Sequence, residues 1–242
     1  GLVEWRLKYL RKSLGPLRKG DFGFIFARPE SGKTTFLISE ISHFLTQTKE
    51  NILWIANEEE STGIITRLYS SVLSTSISVV LNEPQRFVTP FLEQGGKQIH
   101  LCNSSSVGKR MIKEYCEEFQ PALIVIDQLD KIHGFDAERH DLKMKAIYQW
   151  ARELAKEYCP VIGVCQAGGS AEGKMWLDMN DVDSSHTSKQ GEADWIMGIG
   201  KSANEDLSNL RYLHILKNKL LGGGESDPAL KHSKTQVKIN LD

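Results

Sequence analysis

Four short stretches of the chain are apolar almost without interruption: GDFGFIFA (Gly20 to Ala27), NILWIAN (Asn51 to Asn57), ALIVID (Ala122 to Asp127) and PVIGVCQ (Pro160 to Gln166). A strand with one face in water alternates apolar and polar residues, whereas a strand covered on both faces does not need to. Between these stretches the spacing becomes helical. In TTFLISEISHFLT the apolar positions Phe36, Leu37, Ile41, Phe44 and Leu45 recur every three or four residues. STGIITRLYSSVL and VGKRMIKEYCEEF, the latter ended near Pro121, read as helices too, and Ala146, Ile147, Trp150, Ala151, Leu154 and Tyr158 mark one face of a long helix. QIHLCN, ADWIMGIG, RYLHILK and TQVKINL add further strands. The stretch before QIHLCN is less legible, and Ala167 to Gly191 is Gly-rich and polar with little periodicity. Strands alternating with helices predict an α/β domain with a largely parallel central sheet flanked by helices. Ligands of such sheets bind outside the carboxyl ends of the strands.

Composition narrows the function more by exclusion than by assignment. At 242 residues the chain suits one large domain or two small ones. Its formal net charge of -1 supplies no overall basic field, so any contact with nucleic acid must come from a local patch. The apolar runs are too short to cross a bilayer, and the start of the chain lacks a secretory apolar region. Cys102, Cys116, Cys159 and Cys165 form no CxxC pair and have no His at zinc-ligand spacing, which suits a reduced, cytosolic-type compartment. The first residue is Gly1 rather than Met, as expected of a domain trimmed from a longer protein.

The stretch ARPESGKTT (Ala27 to Thr35) follows the first strand and opens the first helix. Strand, AxxxxGKT and helix in that order give the context of a phosphate-binding loop. Backbone N–H groups around Ser31 to Thr34 would face the phosphates of a nucleotide at the helix N-terminus. Lys33 would reach the β- and γ-phosphates, and the Thr34 hydroxyl would help hold Mg²⁺. Ala27 stands where the usual pattern has Gly, a mild departure at the position that opens the turn. Asp127, ending an apolar strand, suits the second Mg²⁺-holding position. Glu58, just past a strand expected to neighbour the loop strand, suits a general base for an attacking water, with Glu59 and Glu60 as rivals. Gln166, at the end of PVIGVCQ, is placed to sense the γ-phosphate and pass its state to the loop that follows.

Together these residues resemble the RecA-like motor domain of the DnaB family of hexameric replicative helicases. The phosphate loop of that family opens Ala-Arg-Pro and closes Gly-Lys-Thr, and Ala27, Arg28, Pro29, Glu30, Ser31, Gly32, Lys33, Thr34 and Thr35 match that nucleotide-binding segment. LGPLRKGDF resembles the segment before the first strand, ANEEES the segment bearing the catalytic Glu, LIVIDQLDKI the Asp-bearing strand, PVIGVCQ the Gln strand, and KQGEAD the stretch leading into the next strand. The likeness covers about residues 14 to 224. It implies a RecA-like P-loop NTPase fold, ATP or another NTP with Mg²⁺ as cofactor, and location in the cytoplasm or a replication compartment. LHILKNK resembles the strand whose Lys-x-Arg pair reaches a neighbouring subunit's ATP. Lys217 fits the first position, but Lys219 stands in place of the arginine; Lys219 acting less well, Arg211 or another arginine, or subunits that do not co-operate in this way are the alternatives.

The resemblance further implies single-stranded DNA held by loops of a homo-oligomeric, hexameric ring, with a primase or loader as additional partners. Two segments suit those loops: residues 131–143, with Lys131, Arg139 and Lys143, and residues 167–181, with Gly168, Gly169, Gly173, Lys174 and the aromatic Trp176. Asp178, Asp181 and Asp183 in or next to the second loop would repel phosphate, and are expected to face away or to contact a neighbouring subunit. Residues 1–13 read as a linker arm that docks on the next subunit or on its own domain, and 14–242 as the ATPase domain. The implied function is a replicative helicase motor that translocates on single-stranded DNA and unwinds duplex. A RecA-type recombination or repair ATPase, and a regulatory assembly ATPase that does not act on DNA, share the fold and remain alternatives.

Overall fold

The computed structural model describes residues 3–57, 61–103, 105–183, 186–220 and 228–240. In chain order the described elements are α1 (Lys8–Ser13), β1 (Phe22–Ala27), α2 (Lys33–Phe44), β2 (Ile52–Ala56), α3 (Ser61–Leu73), α4 (Ile77–Asn82), α5 (Pro84–Glu93), β3 (Ile99–Cys102) and α6 (Lys109–Phe119). Then come β4 (Leu123–Asp127), α7 (His140–Glu157), β5 (Val161–Gln166), α8 (His186–Glu192), β6 (Trp195–Gly200), β7 (Leu210–Asn218), α9 (Pro228–Lys231) and β8 (Lys234–Lys238). The strands form one sheet in the order β3-β2-β4-β5-β1-β6-β7-β8. Pairing is parallel from β3 to β6 and antiparallel from β6 through β7 to β8. This is the RecA-like P-loop arrangement, a mostly parallel sheet flanked by helices.

The uninterrupted apolar runs have the cause inferred from them. Every residue of β1, β2 and β4 is buried, because a layer of helices covers each face of the sheet. On one face Ile25, Trp54, Val125 and Trp195 meet Leu37, Ile41 and Phe44 of α2. On the other, Phe24, Phe26, Leu53 and Ile126 meet Ile112 of α6 and Tyr148, Ala151 and Leu154 of α7. The layers pack closely enough that β1 needs Gly23: a Cβ there would fall 2.1 Å from the Trp195 ring. The stretch that gave no sequence signal holds α4 and α5. The second of these begins at Pro84 and carries Pro90 inside it, so its short apolar pattern is broken.

One expectation is overturned by the strand order. The strand before Glu58, β2, does not neighbour the loop strand β1; β4 and β5 lie between them. The connection through α2 steps over two strand positions, which strands later in sequence fill. Consecutive strands are adjacent often but not always.

Residues 3–17 pack on their own domain. Trp5 is fully buried against Phe36, Phe44 and Trp195, and Val3 pairs with Leu17. The Glu40 carboxylate, on α2, accepts the Arg6 N–H at 2.5 Å and the Leu7 N–H at 3.3 Å. Burial raises the pKa of Glu40 against these bonds. Among the described residues no helix is long and apolar enough to cross a membrane.

Candidate nucleotide site and the loops beside it

The phosphate loop leaves the end of β1 and turns into α2 at Gly32, whose φ of 95° is left-handed. Glu30 also has positive φ, 58°. These reversals curl the main chain ahead of the helix, and Ser31 N–H closes the curl on Arg28 O at 3.3 Å. Such a curl at a helix N-terminus aims several N–H groups at one point, the arrangement that holds a phosphate. Ser31 and Lys33 are buried, which suits a loop that closes around a ligand rather than one exposed to solvent.

Arg211 supports the loop from beneath, a role that sequence reasoning missed. From β7 its Nε donates to Ser31 O at 2.8 Å, and its Nη1 donates to Ser208 O and Leu210 O at 2.7 Å each. The guanidinium is buried, and these three main-chain carbonyls lie in its own subunit. A separation of 180 residues gives no local sequence signal for this contact. Beside the loop runs a groove of about 900 Å³. Gly32, Thr35, Phe36, Ser39, Arg211 and Ile239 are among the residues that line it.

The other candidate residues gather at the same edge of the sheet. Gln166 lies directly beside Ala27 in the β1–β5 register, and Asp127 is beside Val164 on the far side of β5. Asp127 is buried at the tip of β4. Thr34 and Thr35 lie in the first turn of α2. The end of β2 is tied to that of β4, since Asn57 Nδ2 donates to Gln128 O at 3.1 Å. Glu58, Glu59 and Glu60 lie outside the described residues. The curled main chain, the buried Lys33 and the acid at the tip of β4 fit a triphosphate with Mg²⁺, whose ligands would be Thr34, Asp127 and phosphate oxygens.

Lys217 and Lys219 part company. Lys217 turns inward and its Nζ donates to Gln190 O; burial, then the nearby Lys219 charge, lower its pKa. Lys219 is exposed, with its main-chain N–H on Asp194 O at 2.8 Å.

The two polar loops are equally distinct. In the first, Arg139 is engaged with Asp141 two residues on, at 2.7 and 3.1 Å, and Lys143 is half-buried in the first turn of α7. In the second, two of the three acids turn to a lysine of the same loop. Lys174 Nζ donates to Asp178 and to Asp181, each at 2.7 Å. Asp181 also accepts from Ser170 and from the Asp178 N–H, and Asp178 caps Asn180. The Gly168 N–H, expected to meet phosphate, donates to Asp181 O at 2.7 Å, whereas Gly169 stands in open space. Arg28, in the phosphate loop, reaches this second loop, donating to Ala167 O at 3.1 Å and to Glu172 at 2.9 Å.

No curated protein sequence matches the chain. Among solved structures it is similar to one described as an ATPase domain, with a TM-score of 0.73 at 15% identity over 91% of this chain and 81% of that one. It is also similar to a DnaB-like replicative helicase whose structure was described with its interactions with primase. There the TM-score is 0.76 at 16% identity, over 90% of this chain. This chain spans only 57% of that helicase's length. The fold of these two structures is therefore the fold found here, as the sequence motifs implied. A family model described as an AAA domain matches residues 1–172, well over half of the sequence, and the chain belongs to that AAA domain family.

Proposed function

We propose that this chain is the ATP-driven motor of a DnaB-type replicative helicase, moving on single-stranded DNA as part of a ring. The observation that carries the reading is the shared strand edge. Ala27, Asp127 and Gln166 end strands β1, β4 and β5, and the two polar loops begin where β4 and β5 stop. Phosphate chemistry and strand grip would thus be separated by a few residues of main chain.

In this reading the phosphate-loop amides and Lys33 hold the β- and γ-phosphates, and Thr34 and Asp127 hold Mg²⁺, which when bound neutralises charge building on the phosphate oxygens. Glu58 takes a proton from a water as its oxygen bonds to the γ-phosphorus and the bond to the ADP oxygen breaks. Gln166 senses whether the γ-phosphate is present, and the loop after it shifts with the change. Lys219, exposed at the strand tip, reaches the nucleotide of a neighbouring subunit in a head-to-tail ring. The inward-turned Lys217 keeps that tip in place. Arg139, Lys143, Gly169 and Lys174 are the candidates for meeting DNA phosphates.

The test is steady-state ATP hydrolysis against protein concentration, with and without single-stranded DNA, using Lys33→Ala as the blank. Turnover should rise with both, and Lys219→Ala should remove the dependence on concentration. Turnover indifferent to concentration and to DNA would leave a nucleotide switch of another kind.

A further inference from the structure

Lys189 stands apart from the site and is the most deeply buried cation in the described structure, its side chain having no exposure. It lies on α8, yet its ammonium crosses to two other segments. Nζ donates to Asp130 Oδ2 at 2.5 Å and to the Asp183 carbonyl at 2.7 Å. The Tyr148 hydroxyl donates to the second Asp130 oxygen at 2.9 Å, and the Tyr148 ring lies 5.7 Å from the ammonium. Stability alone is a poor reason for such a cluster, because an apolar replacement of a buried ion pair often folds as well or better.

What the ammonium joins is more telling. Asp130 sits in the turn Leu129–Lys131, three residues beyond Asp127. Asp183 closes the loop that begins after Gln166, and its N–H returns to Gln166 O at 3.2 Å. We propose that Lys189 is a positioning residue that carries the nucleotide state from the tips of β4 and β5 to the 167–182 loop, through its bonds to Asp130 and to the Asp183 carbonyl. The proposal rests on the nucleotide site described above, but not on DNA or on ring assembly. Displacing the turn after Asp127 moves a carboxylate whose cation has no water to turn to. The ammonium follows, and with it the carbonyl at the end of the loop. Arg28 holds the opposite end of the loop at Ala167, so a shift at Asp183 changes the shape of the loop rather than translating it.

Hydrogen exchange with and without Mg²⁺ and a non-hydrolysable ATP analogue tests the coupling. In the wild-type chain nucleotide should slow exchange at residues 27–36 and alter it severalfold at 167–183. Lys189→Met should keep the first response and lose most of the second. The double variant Asp130→Asn with Lys189→Met leaves no orphaned half-buried carboxylate and should behave the same way with a cooperative melt. A merely structural pair would instead quicken exchange throughout the sheet and leave the nucleotide-dependent difference at 167–183 in place, which overturns the proposal. So would a wild-type loop indifferent to nucleotide while 27–36 is protected, or a double variant that no longer folds. Absence of protection at 27–36 in the wild type would refute the nucleotide site itself, and the coupling with it.

Discussion

The loops that follow β1 and β5 leave neighbouring parallel strands, with Ala27 beside Gln166, yet they are held by opposite means. The phosphate loop takes its shape from main-chain reversals at Glu30 and Gly32 and from one guanidinium beneath it. The 167–182 loop has main-chain bonds too, but side-chain charges hold it as well: Lys174 between two aspartates inside it, and Arg28 and Lys189 at its two ends. A curl built of main chain has one geometry and can offer its amides to one ligand. A loop held partly by ion pairs can exchange its half-exposed carboxylate, Asp178, for a phosphate at small cost, since half-exposed pairs are worth about 0–1 kcal/mol. The difference is what the proposed function needs, a fixed nucleotide site next to a surface able to grip and release.

The sharpest way to break this comparison is to place a side chain on a glycine of each loop. At Gly32 a Cβ would lie 2.8 Å from Ile239 Cδ1, on a residue with φ of 95°. Strain and clash together should weaken nucleotide affinity of Gly32→Val about 100-fold, close to 3 kcal/mol. At Gly169 a Cβ would find nothing within 4 Å, so Gly169→Val should change nucleotide affinity and folding stability by no more than about 0.5 kcal/mol. A fluorescent nucleotide titration reads both, and equal losses would mean that the two loops are alike after all.

Next in size is Arg211→Met. It leaves the Ser31 carbonyl short of a donor in a buried place, while the carbonyls of exposed Ser208 and half-buried Leu210 remain within reach of water. The expected cost is about 1–3 kcal/mol, or several degrees of melting temperature at roughly 2–4 °C per kcal/mol for a domain of this size. Weaker nucleotide binding should accompany it. An unchanged melt would show that the loop holds its own shape.

The legibility of the two regions in the sequence follows the same division. The phosphate loop could be read because its ingredients are contiguous: an apolar strand, Gly32-Lys33-Thr34 and a helix. The strands themselves could be read because burial on both faces leaves a continuous run such as LIVID. Contacts between distant segments left no such trace. Nothing near Arg211 says that it supports Ser31, and nothing in KQGEAD says that Lys189 reaches Asp130. The strand order escaped for the same reason, since the separation of β2 from β1 is set by strands that come later. Within the 167–182 loop the acids were visible but their direction was not, because composition alone does not distinguish a carboxylate that repels a ligand from one that holds a lysine.

Acid should open the second loop before the first. Burial alone would raise the pKa of Asp181, but the Asp178 N–H, Lys174 and Ser170 outweigh it and hold the carboxyl below its ordinary value. A carboxylate depressed on folding stabilises above its unfolded pKa and loses that contribution as pH falls through the folded value. Protonation therefore releases Lys174, and exchange at 168–182, corrected for its intrinsic pH dependence, should quicken below about pH 4. The phosphate loop takes its shape from main chain and a guanidinium instead, and should stay protected. Simultaneous opening of both loops would mean that global unfolding sets the acid limit.

The smallest expected effect is also the most direct probe of the exchange between carboxylate and phosphate. Asp178 is half-exposed, accepts from Lys174 and caps Asn180 through its other oxygen. Asp178→Asn keeps an oxygen for the cap while removing one of the two charges that neutralise Lys174, so the fold should not notice the change. Affinity for single-stranded DNA should rise about two- to fivefold at low salt and return to the wild-type value near 1 M, where screening acts within about 3 Å. Lys174→Gln should move the other way, with weaker binding and a salt slope shallower by about one. If Asp178→Asn leaves binding unchanged while Lys174→Gln weakens it, Lys174 meets phosphate without leaving its aspartates, and the loop grips as a fixed surface. If neither variant matters, the 167–182 loop does not carry the strand, and the division of labour between the two loops falls.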